Sequence, residues 1–345
     1  MDLLNLFPQP IIQGPMAGGS NTPALVAAVS NAGGLGSLAG SLLSPDTLRA
    51  QVEEIRKLTG KPFMVNFFVQ DIPSPSKAEV QQAVELMRPV WEPLGWKELP
   101  LPAKWCEDFA AQFETLIELK PAVASFTFNI LQRGQVEKLH AAGIAVIGTV
   151  TTVEEAQAWE AIGADAVIAS GVEAGGHRGT FLVDQTAATL GALDLLDGVV
   201  KAVNIPVISA GNIMTGADIR DRLARGASAV QMGTAFLVTD ESGIHPSYKQ
   251  KLLHCGETPT RLTRAFSGRY ARGLENAFMQ RLSAVESQLP AYPVQNALTG
   301  IIRAEAAKTG DTSLMSLWCG TGVARARGMS CKQLMETLIA ELHQA

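Results

Sequence analysis

The stretch "AVIGTVTTVEEAQAWEAIGADAVIAS", residues 145–170, contains the repeating unit that decides the fold. It begins with the apolar run "AVIGTV" and ends with "DAVIAS", and neither run alternates between apolar and polar residues as a half-exposed strand does. Between them, a capping box from Thr152 to Glu155 predicts a helix that ends at Gly163. Two buried strands joined by a helix are typical of a parallel sheet covered by helices on both faces.

Apolar runs of the same kind recur along the chain, each followed by a glycine or polar break and a helix-like segment. The eight runs are "PIIQ" (10–13), "LGSLAG" (35–40), "FMVNFF" (63–68), "AVASFTF" (122–128), "AVIGTV" (145–150), "DAVIAS" (165–170), "PVISAG" (206–211) and "AVQMGTAFL" (229–237). Helix-start signals lie between them, such as Ser44 followed by Pro45. Eight strands with right-handed helical crossovers favour an α/β fold of the closed TIM (β/α)8 type over an open doubly wound sheet.

Two segments exceed what a barrel needs. Residues 71–121 insert about 50 residues between the third and fourth strands, and we expect extra helices there. Residues 238–312 follow the eighth strand, and we predict that they form a second, smaller and mainly helical domain, a substrate or lid domain over the barrel mouth. The barrel then comprises residues 1–237 and 313–345, and the last amphipathic helix closes its wall.

Composition and charge indicate a globular protein that acts on small molecules. Of the 345 residues, 47% are apolar and 18% charged, the formal net charge is −5, and Lys and Arg do not cluster as they do on nucleic-acid-binding surfaces. The four cysteines include no Cys-x-x-Cys pair, so neither a disulfide framework nor a zinc site is indicated. The sequence shows no signal-peptide pattern and no apolar run long enough to span a bilayer. We therefore expect a soluble cytoplasmic protein with no nucleic-acid or membrane partner.

The reactive groups of a TIM barrel lie where its strands end, so the residues after each apolar run are the candidates for the site. "SAGNI" (209–213) and "QMGTAF" (231–236) end the seventh and eighth strands, where barrels bind phosphate through backbone N–H groups. Gly211 and Gly233 permit close approach of the backbone, and Thr234 adds a hydroxyl donor. In the alternative interpretation, these glycines only allow tight turns.

Asn66 is a lone amide in "VNFF" (65–68), at the end of the third predicted strand. A buried amide needs hydrogen-bond partners. A heterocyclic ligand that presents a donor and an acceptor would supply them, and so would neighbouring backbone groups. The residues alone leave both interpretations open.

His177 is the one histidine that falls at the end of a predicted barrel strand, in the loop "VEAGGHRGTF" (172–181). Its imidazole is a candidate base, acid or cationic anchor for an anionic substrate, and a polar residue on a turn is the alternative. Glu173 is placed to orient His177 or to contact a cofactor, whereas a solvated Arg178 is favoured over a catalytic one. No second ligand stands nearby at metal-binding spacing, so we expect no metal site.

Together these motifs resemble the nitronate monooxygenase family, formerly called 2-nitropropane dioxygenases, and its bacterial class I in particular. The elements "EAGGHRG" and "QMGT", in this order and spacing, are the most specific part of the similarity. The full set is "QGPMAGGSNTPALVAAVSNAGGLGSLAG" (13–40), "VNFF" (65–68), "ASFTF" (124–128), "GTVTTVEEA" (148–156), "EAGGHRGTF" (173–181), "SAGNI" (209–213), "QMGTAFL" (231–237) and "LWCGTG" (317–322).

The resemblance implies a flavoprotein oxidoreductase whose barrel holds FMN non-covalently. The catalytic residue it implies is His177, which binds the nitronate and acts as a base toward neutral nitroalkanes. The implied cofactor-binding residues are Pro15, Met16, Ala17, Asn66, Ser170, Gly175, Gly176, Ala210, Gly211, Asn212, Gln231, Met232, Gly233 and Thr234. The implied reaction detoxifies nitroalkanes: an alkyl nitronate, such as propionate 3-nitronate, reacts with O2 to give a carbonyl compound and nitrite. The resemblance leaves open whether the protein forms a homodimer.

Four positions depart from the pattern that many members of this family show. Ser170 stands where glutamine is common, Asn129 where glycine is common, and Cys319 and Thr321 where alanine and glutamine are often found. The chain also has only three tyrosines, so we expect a thinner aromatic lining around the substrate. These departures bear on the substrate more than on the cofactor.

Two other functions fit the same residues. A related FMN barrel that takes electrons from NAD(P)H, such as an enoyl-acyl-carrier-protein reductase or a quinone reductase, would have the same fold and cofactor. A non-catalytic flavin-binding or phospho-ligand-binding protein is less well supported, because His177 stands in the loop after the sixth strand, where catalytic groups of barrels lie.

Overall fold

The computed structural model describes residues 3–344 and contains the predicted TIM barrel. The strands are β1 (Ile11–Gln13), β2 (Gly36–Ala39), β3 (Phe63–Phe68), β4 (Val123–Thr127), β5 (Ala145–Val150), β6 (Ala166–Ser170), β7 (Gly176–His177), β8 (Val207–Ala210), β9 (Ala229–Met232), β10 (Thr260–Thr263) and β11 (Ala271–Leu274). Eight of them form one parallel sheet in the order β1-β9-β8-β6-β5-β4-β3-β2. The sheet closes because Leu35, just before β2, donates to the carbonyl of Ile11 at 2.9 Å and accepts from Gln13 N–H at 3.0 Å.

Helices alternate with the barrel strands and surround them. They are α1 (Pro23–Asn31), α2 (Pro45–Leu58), α3 (Lys77–Leu86), α4 (Arg88–Trp91), α5 (Phe109–Leu119), α6 (Arg133–Ala141), α7 (Val153–Ala161), α8 (Ala192–Ala202), α9 (Gly216–Ala224), α10 (Thr234–Leu237), α11 (Pro246–Leu253), α12 (Ala277–Leu282), α13 (Val294–Thr309) and α14 (Cys331–His343). Short 3-10 turns cover Leu3–Leu6, Glu92–Leu94, Glu286–Gln288 and Val323–Arg325. The carboxy-terminal α14 packs between α1 and α9 and so completes the ring of helices.

The unit at residues 145–170 shows how the sequence builds one βαβ repeat. The side chain of Thr152 accepts from the N–H of Glu155 and starts α7, as predicted. The other half of the capping box is absent, because the Glu155 carboxylate accepts instead from Thr151 N–H at 2.6 Å and from Phe181 N–H at 2.6 Å. Glu155 thereby ties the loop that follows β7 to the start of α7.

Close packing explains a glycine in the same unit. Trp159 of α7 is fully buried against β5, and a Cβ added at Gly148 would lie 2.2 Å from its indole ring. Any larger residue would push the helix away from the sheet. The glycine in "AVIGTV" therefore serves helix-on-strand packing.

The eighth predicted strand extends too far at its carboxyl end. The run at 229–237 is a strand only as far as Met232, and its end, Thr234–Leu237, is the short helix α10. The chain turns at Gly233, which caps this helix. An apolar run cannot distinguish a buried strand from a buried helical turn, because both are apolar throughout.

Residues 238–312 lie over the barrel mouth and contain more than helices. Besides α11, α12 and α13, they form the antiparallel pair β10 and β11. Strand β11 also pairs with β7, where Ala271 faces His177 and Arg272 faces Gly176. The assignment of these residues as a separate domain stays a prediction. Their apolar core, which includes Phe266 and Phe278, also takes in Trp91 from the insertion at 71–121.

The core of the barrel itself has two layers. Residues such as Ile12, Ile147 and Ile208 point into the barrel and are fully buried. A second apolar layer, which includes Val146 and Leu195, fills the space between strands and helices. No helix within residues 3–344 is long and apolar enough to cross a membrane.

Candidate active site

A cavity of about 600 Å³ lies where the carboxyl ends of the barrel strands meet the residues that cover them. All fifteen residues predicted for the site line it, although they come from the ends of five different barrel strands. They are Pro15, Met16, Ala17, Asn66, Ser170, Gly175, Gly176, His177, Ala210, Gly211, Asn212, Gln231, Met232, Gly233 and Thr234. Strand-end position pointed to Asn66, His177, Gly211, Gly233 and Thr234, and the family resemblance implied the other ten. Both sets line the same cavity.

His177 is held on a strand, whereas the sequence suggested a loop. It forms the two-residue β7 with Gly176 and pairs with β11 through Ala271. Its Nε2 lies 2.8 Å from the hydroxyl of Ser267, which comes just before β11. Both the backbone and the ring of His177 are thus fixed by residues that lie about 90 positions later in the chain.

Burial keeps the imidazole of His177 neutral. Burial, together with the positive charges of Arg269 and Arg303, lowers its pKa to about 3. The ring is therefore uncharged throughout the neutral pH range in the free site. In the free site the neutral ring suits the role of base, whereas the roles of acid and cationic anchor require that a bound anion first favours the protonated ring.

The hydrogen bonds of Ser267 assign the tautomer of His177. The Ser267 hydroxyl donates to the carbonyl of Arg269 at 3.0 Å, and a hydroxyl has only one proton to give. Its oxygen is then the acceptor for His177 Nε2–H. This leaves Nδ1 of His177 with a free lone pair that can accept a proton.

Four aromatic rings surround His177. The ring centroids of Phe128, Trp318, Tyr292 and Phe68 lie 5.4, 5.6, 5.7 and 6.1 Å from that of the imidazole. The small number of tyrosines suggested a thinner aromatic lining, but phenylalanine and tryptophan supply most of the rings here. The part of the cavity beside His177 is an apolar, aromatic chamber.

The opposite side of the cavity is formed by backbone at the ends of β8 and β9. Gly211 and Asn212 both have a positive φ, 118° and 55°, which turns the chain sharply after β8. Asn212 is fixed by Arg325, which donates to its Oδ1 at 2.8 Å. After β9, the hydroxyl of Thr234 accepts from Gly320 N–H at 2.9 Å and keeps its own proton available for a ligand.

Gly175 allows the carboxy-terminal motif "LWCGTG" to pack directly on the loop after β6. A Cβ at this position would lie 2.5 Å from the carbonyl carbon of Cys319 and 2.5 Å from the nitrogen of Gly320. Thr321 N–H also donates to the carbonyl of Glu173 at 3.0 Å.

The thiol of Cys319 is buried, which raises its pKa to about 12 and makes it inert as a nucleophile.

Two amides in the cavity have a carbonyl oxygen without a protein partner. The nitrogen of Asn66 donates to the hydroxyl of Ser125 at 2.9 Å, so neighbouring groups satisfy that half of the amide. No hydrogen bond among residues 3–344 reaches its Oδ1. The Oε1 of Gln231 is likewise buried and unpartnered. A ligand with N–H or O–H donors would satisfy both.

With this geometry in place, comparison with known proteins identifies the family. The family model described as "Nitronate monooxygenase" matches residues 2–341. The chain belongs to the nitronate monooxygenase family. It is therefore a flavin-type oxidoreductase that acts on small molecules.

Individual relatives agree with this assignment. A probable nitronate monooxygenase of Staphylococcus haemolyticus is 40% identical over 96% of this chain and 94% of its own length. The structure of a nitroalkane oxidase from Streptomyces ansochromogenes is 43% identical, with a TM-score of 0.91 over 99% of this chain and 98% of that one. FabK from Thermotoga maritima has 31% sequence identity to this chain. Its structure matches with a TM-score of 0.76 over 98% of this chain and 94% of the FabK chain.

One expectation for the "EAGGHRG" element of this family member was wrong, and one of the two alternatives for Glu173 does not hold. Arg178 is not solvated: its side chain is 1% exposed and donates to the carbonyls of Ser170 at 2.9 Å and Gly171 at 2.6 Å. It is a structural residue that fixes the end of β6. The carboxylate of Glu173 accepts from Ala192 N–H at 2.8 Å, at the start of α8, instead of orienting His177.

Several cavity residues of this nitronate monooxygenase family member were missed by sequence reasoning. Tyr292, Asn296 and Arg303 come from α13 and the turn before it, and His245 precedes α11. None follows a barrel strand, so the strand-end rule does not point to them. No other signal in the sequence marked them, because their position depends on how residues 238–312 fold over the barrel.

Proposed function

We propose that the chain binds FMN in this cavity and oxidises alkyl nitronates, such as propionate 3-nitronate, with O2 to a carbonyl compound and nitrite. The observation that carries the proposal is that a neutral, tautomer-fixed His177 shares one cavity with a glycine-lined groove at the ends of β8 and β9. Such a cavity suits a nucleotide-like cofactor on one side and a small substrate on the other.

The residues fit FMN in three regions. We assign the phosphate to Gly211, Gly233 and Thr234, because backbone N–H groups and a hydroxyl at the seventh and eighth strands of a barrel suit a phosphate. The buried, unpartnered Oε1 of Gln231 and the amide of Asn66, whose nitrogen already donates to Ser125, suit the donor groups of the isoalloxazine and ribityl portions. We assign the loop Pro15–Ala17 to the edge of the isoalloxazine ring. When bound, FMN supplies the electron acceptor for the reaction.

The chain's own contribution to the reaction centres on His177. Its free Nδ1 can take a proton from the α-carbon of a neutral nitroalkane. An anion beside the ring favours the charged imidazolium, so a bound nitronate draws a proton onto Nδ1, which then donates to a nitronate oxygen. The aromatic rings of Phe68, Tyr292 and Trp318 form the apolar wall for the alkyl chain and exclude water.

We also propose that residues 238–312 act as the lid of the site. They supply Tyr292, Asn296 and Arg303 to the cavity, and their strand β11 holds β7, on which His177 lies. The lid thus completes the substrate side, while the barrel alone supplies the cofactor side.

Turnover in air tests the proposed reaction. We expect the purified protein to be yellow, to release FMN on denaturation, and to convert an alkyl nitronate into carbonyl compound and nitrite in equal amounts with consumption of O2. The measurement combines chromatography of the released chromophore, a nitrite assay and an oxygen electrode. A colourless protein, or a holoenzyme that forms no nitrite, would sink the proposal.

A further inference from the structure

Arg303 is the one permanently charged side chain that lines the cavity in the described part of the chain. No Asp, Glu or Lys is among the lining residues, so the guanidinium gives the chamber a net positive charge. Arg303 lies on α13, which lines the cavity with Asn296, Arg303, Ala304 and Ala307. Its positive charge is close enough to contribute to the lowered pKa of His177.

The guanidinium of Arg303 is incompletely satisfied by the protein. Its hydrogen bonds within residues 3–344 all use Nη2, which donates to the carbonyl and to the side-chain Oδ1 of Asn296, both at 2.8 Å. The Nε is buried and has no partner. Burial lowers the pKa of Arg303 to about 10, so it stays charged, and no carboxylate in the described residues pairs with it. A buried, unpaired cation is costly unless a ligand supplies the counter-charge.

Tyr292 adds a second unsatisfied donor to the same chamber. Its hydroxyl is buried without a hydrogen-bond partner. The ring packs against Phe128 at 5.0 Å and against His177 at 5.7 Å, so the position of the phenol is fixed. Burial raises the pKa of Tyr292 above its usual value, which keeps the hydroxyl protonated and able to donate.

We propose that Arg303 and Tyr292 together bind a planar, two-oxygen anionic group of the substrate, beside His177. This rests on the proposed function and extends it, because the incompletely paired guanidinium of Arg303 supplies a positive charge whether or not His177 is protonated. The planar guanidinium presents parallel N–H groups that match two oxygens of such an anion. Both the nitronate group itself and a carboxylate elsewhere on the substrate have this chemistry.

Substitution of Arg303 in the holoenzyme tests the proposal. We expect Arg303→Gln to weaken binding of nitrite and of propionate, read as perturbation of the flavin absorbance, by about tenfold or more, as expected for loss of a charged hydrogen-bond donor. The KM for ethyl nitronate should rise similarly if the pair binds the nitronate group. A rise confined to propionate 3-nitronate would assign the pair to a carboxylate instead.

Controls separate this proposal from a folding defect and from the proposed function. Arg281→Gln removes an exposed arginine from α12 and should change neither binding nor KM. Tyr292→Phe keeps the ring and removes only the hydroxyl, so it tests the pair even if Arg303→Gln does not fold, with an expected loss of about fivefold or more. Unchanged anion affinity and unchanged KM in folded variants would overturn the proposal. Wild-type protein that binds anions but turns over no nitronate would overturn only the proposed function.

Discussion

Replacing His177 by alanine is expected to lower the turnover of an alkyl nitronate by about 100-fold or more while flavin stays bound. Loss of a positioned acid–base or hydrogen-bonding group in a closed site costs rates of this order. The flavin should be retained because the residues assigned to FMN lie mainly at other strand ends. The measurement is kcat per bound flavin, together with the flavin-to-protein ratio.

Two further variants sharpen this experiment. His254→Ala changes an exposed histidine at the end of α11 and should behave like the wild type. Ser267→Ala removes the acceptor of His177 Nε2–H but leaves the imidazole in place, so it should slow turnover less than His177→Ala does. Loss of flavin with unaltered activity per remaining flavin in His177→Ala would make His177 a structural residue.

Gly175→Ala is expected to reduce flavin binding by about tenfold or more. The new methyl group would lie 2.5 Å from backbone atoms of Cys319 and Gly320, which cannot move aside as a side chain can. Overpacking of this kind typically costs about 1–3 kcal/mol, and here it displaces the segment that contacts the hydroxyl of Thr234. The measurement is the dissociation constant of FMN for the apoprotein, with the melting temperature recorded in parallel.

Gly134→Ala is the matched control for this prediction. Gly134 also has an ordinary negative φ, and a Cβ there would meet nothing within 4 Å. It should bind flavin as the wild type does. If Gly175→Ala bound flavin as tightly as Gly134→Ala, the close packing of "LWCGTG" on this loop would not matter for the cofactor site.

The barrel was predictable because its signals are local. Buried parallel strands such as β5 and β6 are apolar throughout, and caps such as Thr152 mark the helices between them. The eighth predicted strand was too long, because it included Thr234–Leu237. These residues form a buried helical turn, which has the same apolar composition as a strand. The pairing of β7 with β11 was not predictable, because a two-residue strand leaves no pattern in the sequence.

The site residues also fall into those that the sequence predicts and those that only the folded chain brings into place. Residues after strands, such as Gly211 and Gly233, were found because barrel geometry brings all strand ends to one mouth. Arg178 was misjudged because an arginine after two glycines appears exposed in sequence, yet it is buried against the carbonyls of β6. Arg303 and Tyr292 were missed because only long-range folding of residues 238–312 carries them to His177.

Anaerobic mixing of the flavin-loaded protein with its candidate electron donors tests the central claim most directly. The absorbance of the bound flavin is followed after addition of an alkyl nitronate or of NADH in the absence of O2. If the chain is a nitronate monooxygenase in function as well as in family, the nitronate changes the flavin spectrum and NADH does not. Rapid reduction by NADH with no response to nitronate would contradict the account and assign the chain to the NAD(P)H-dependent reductases.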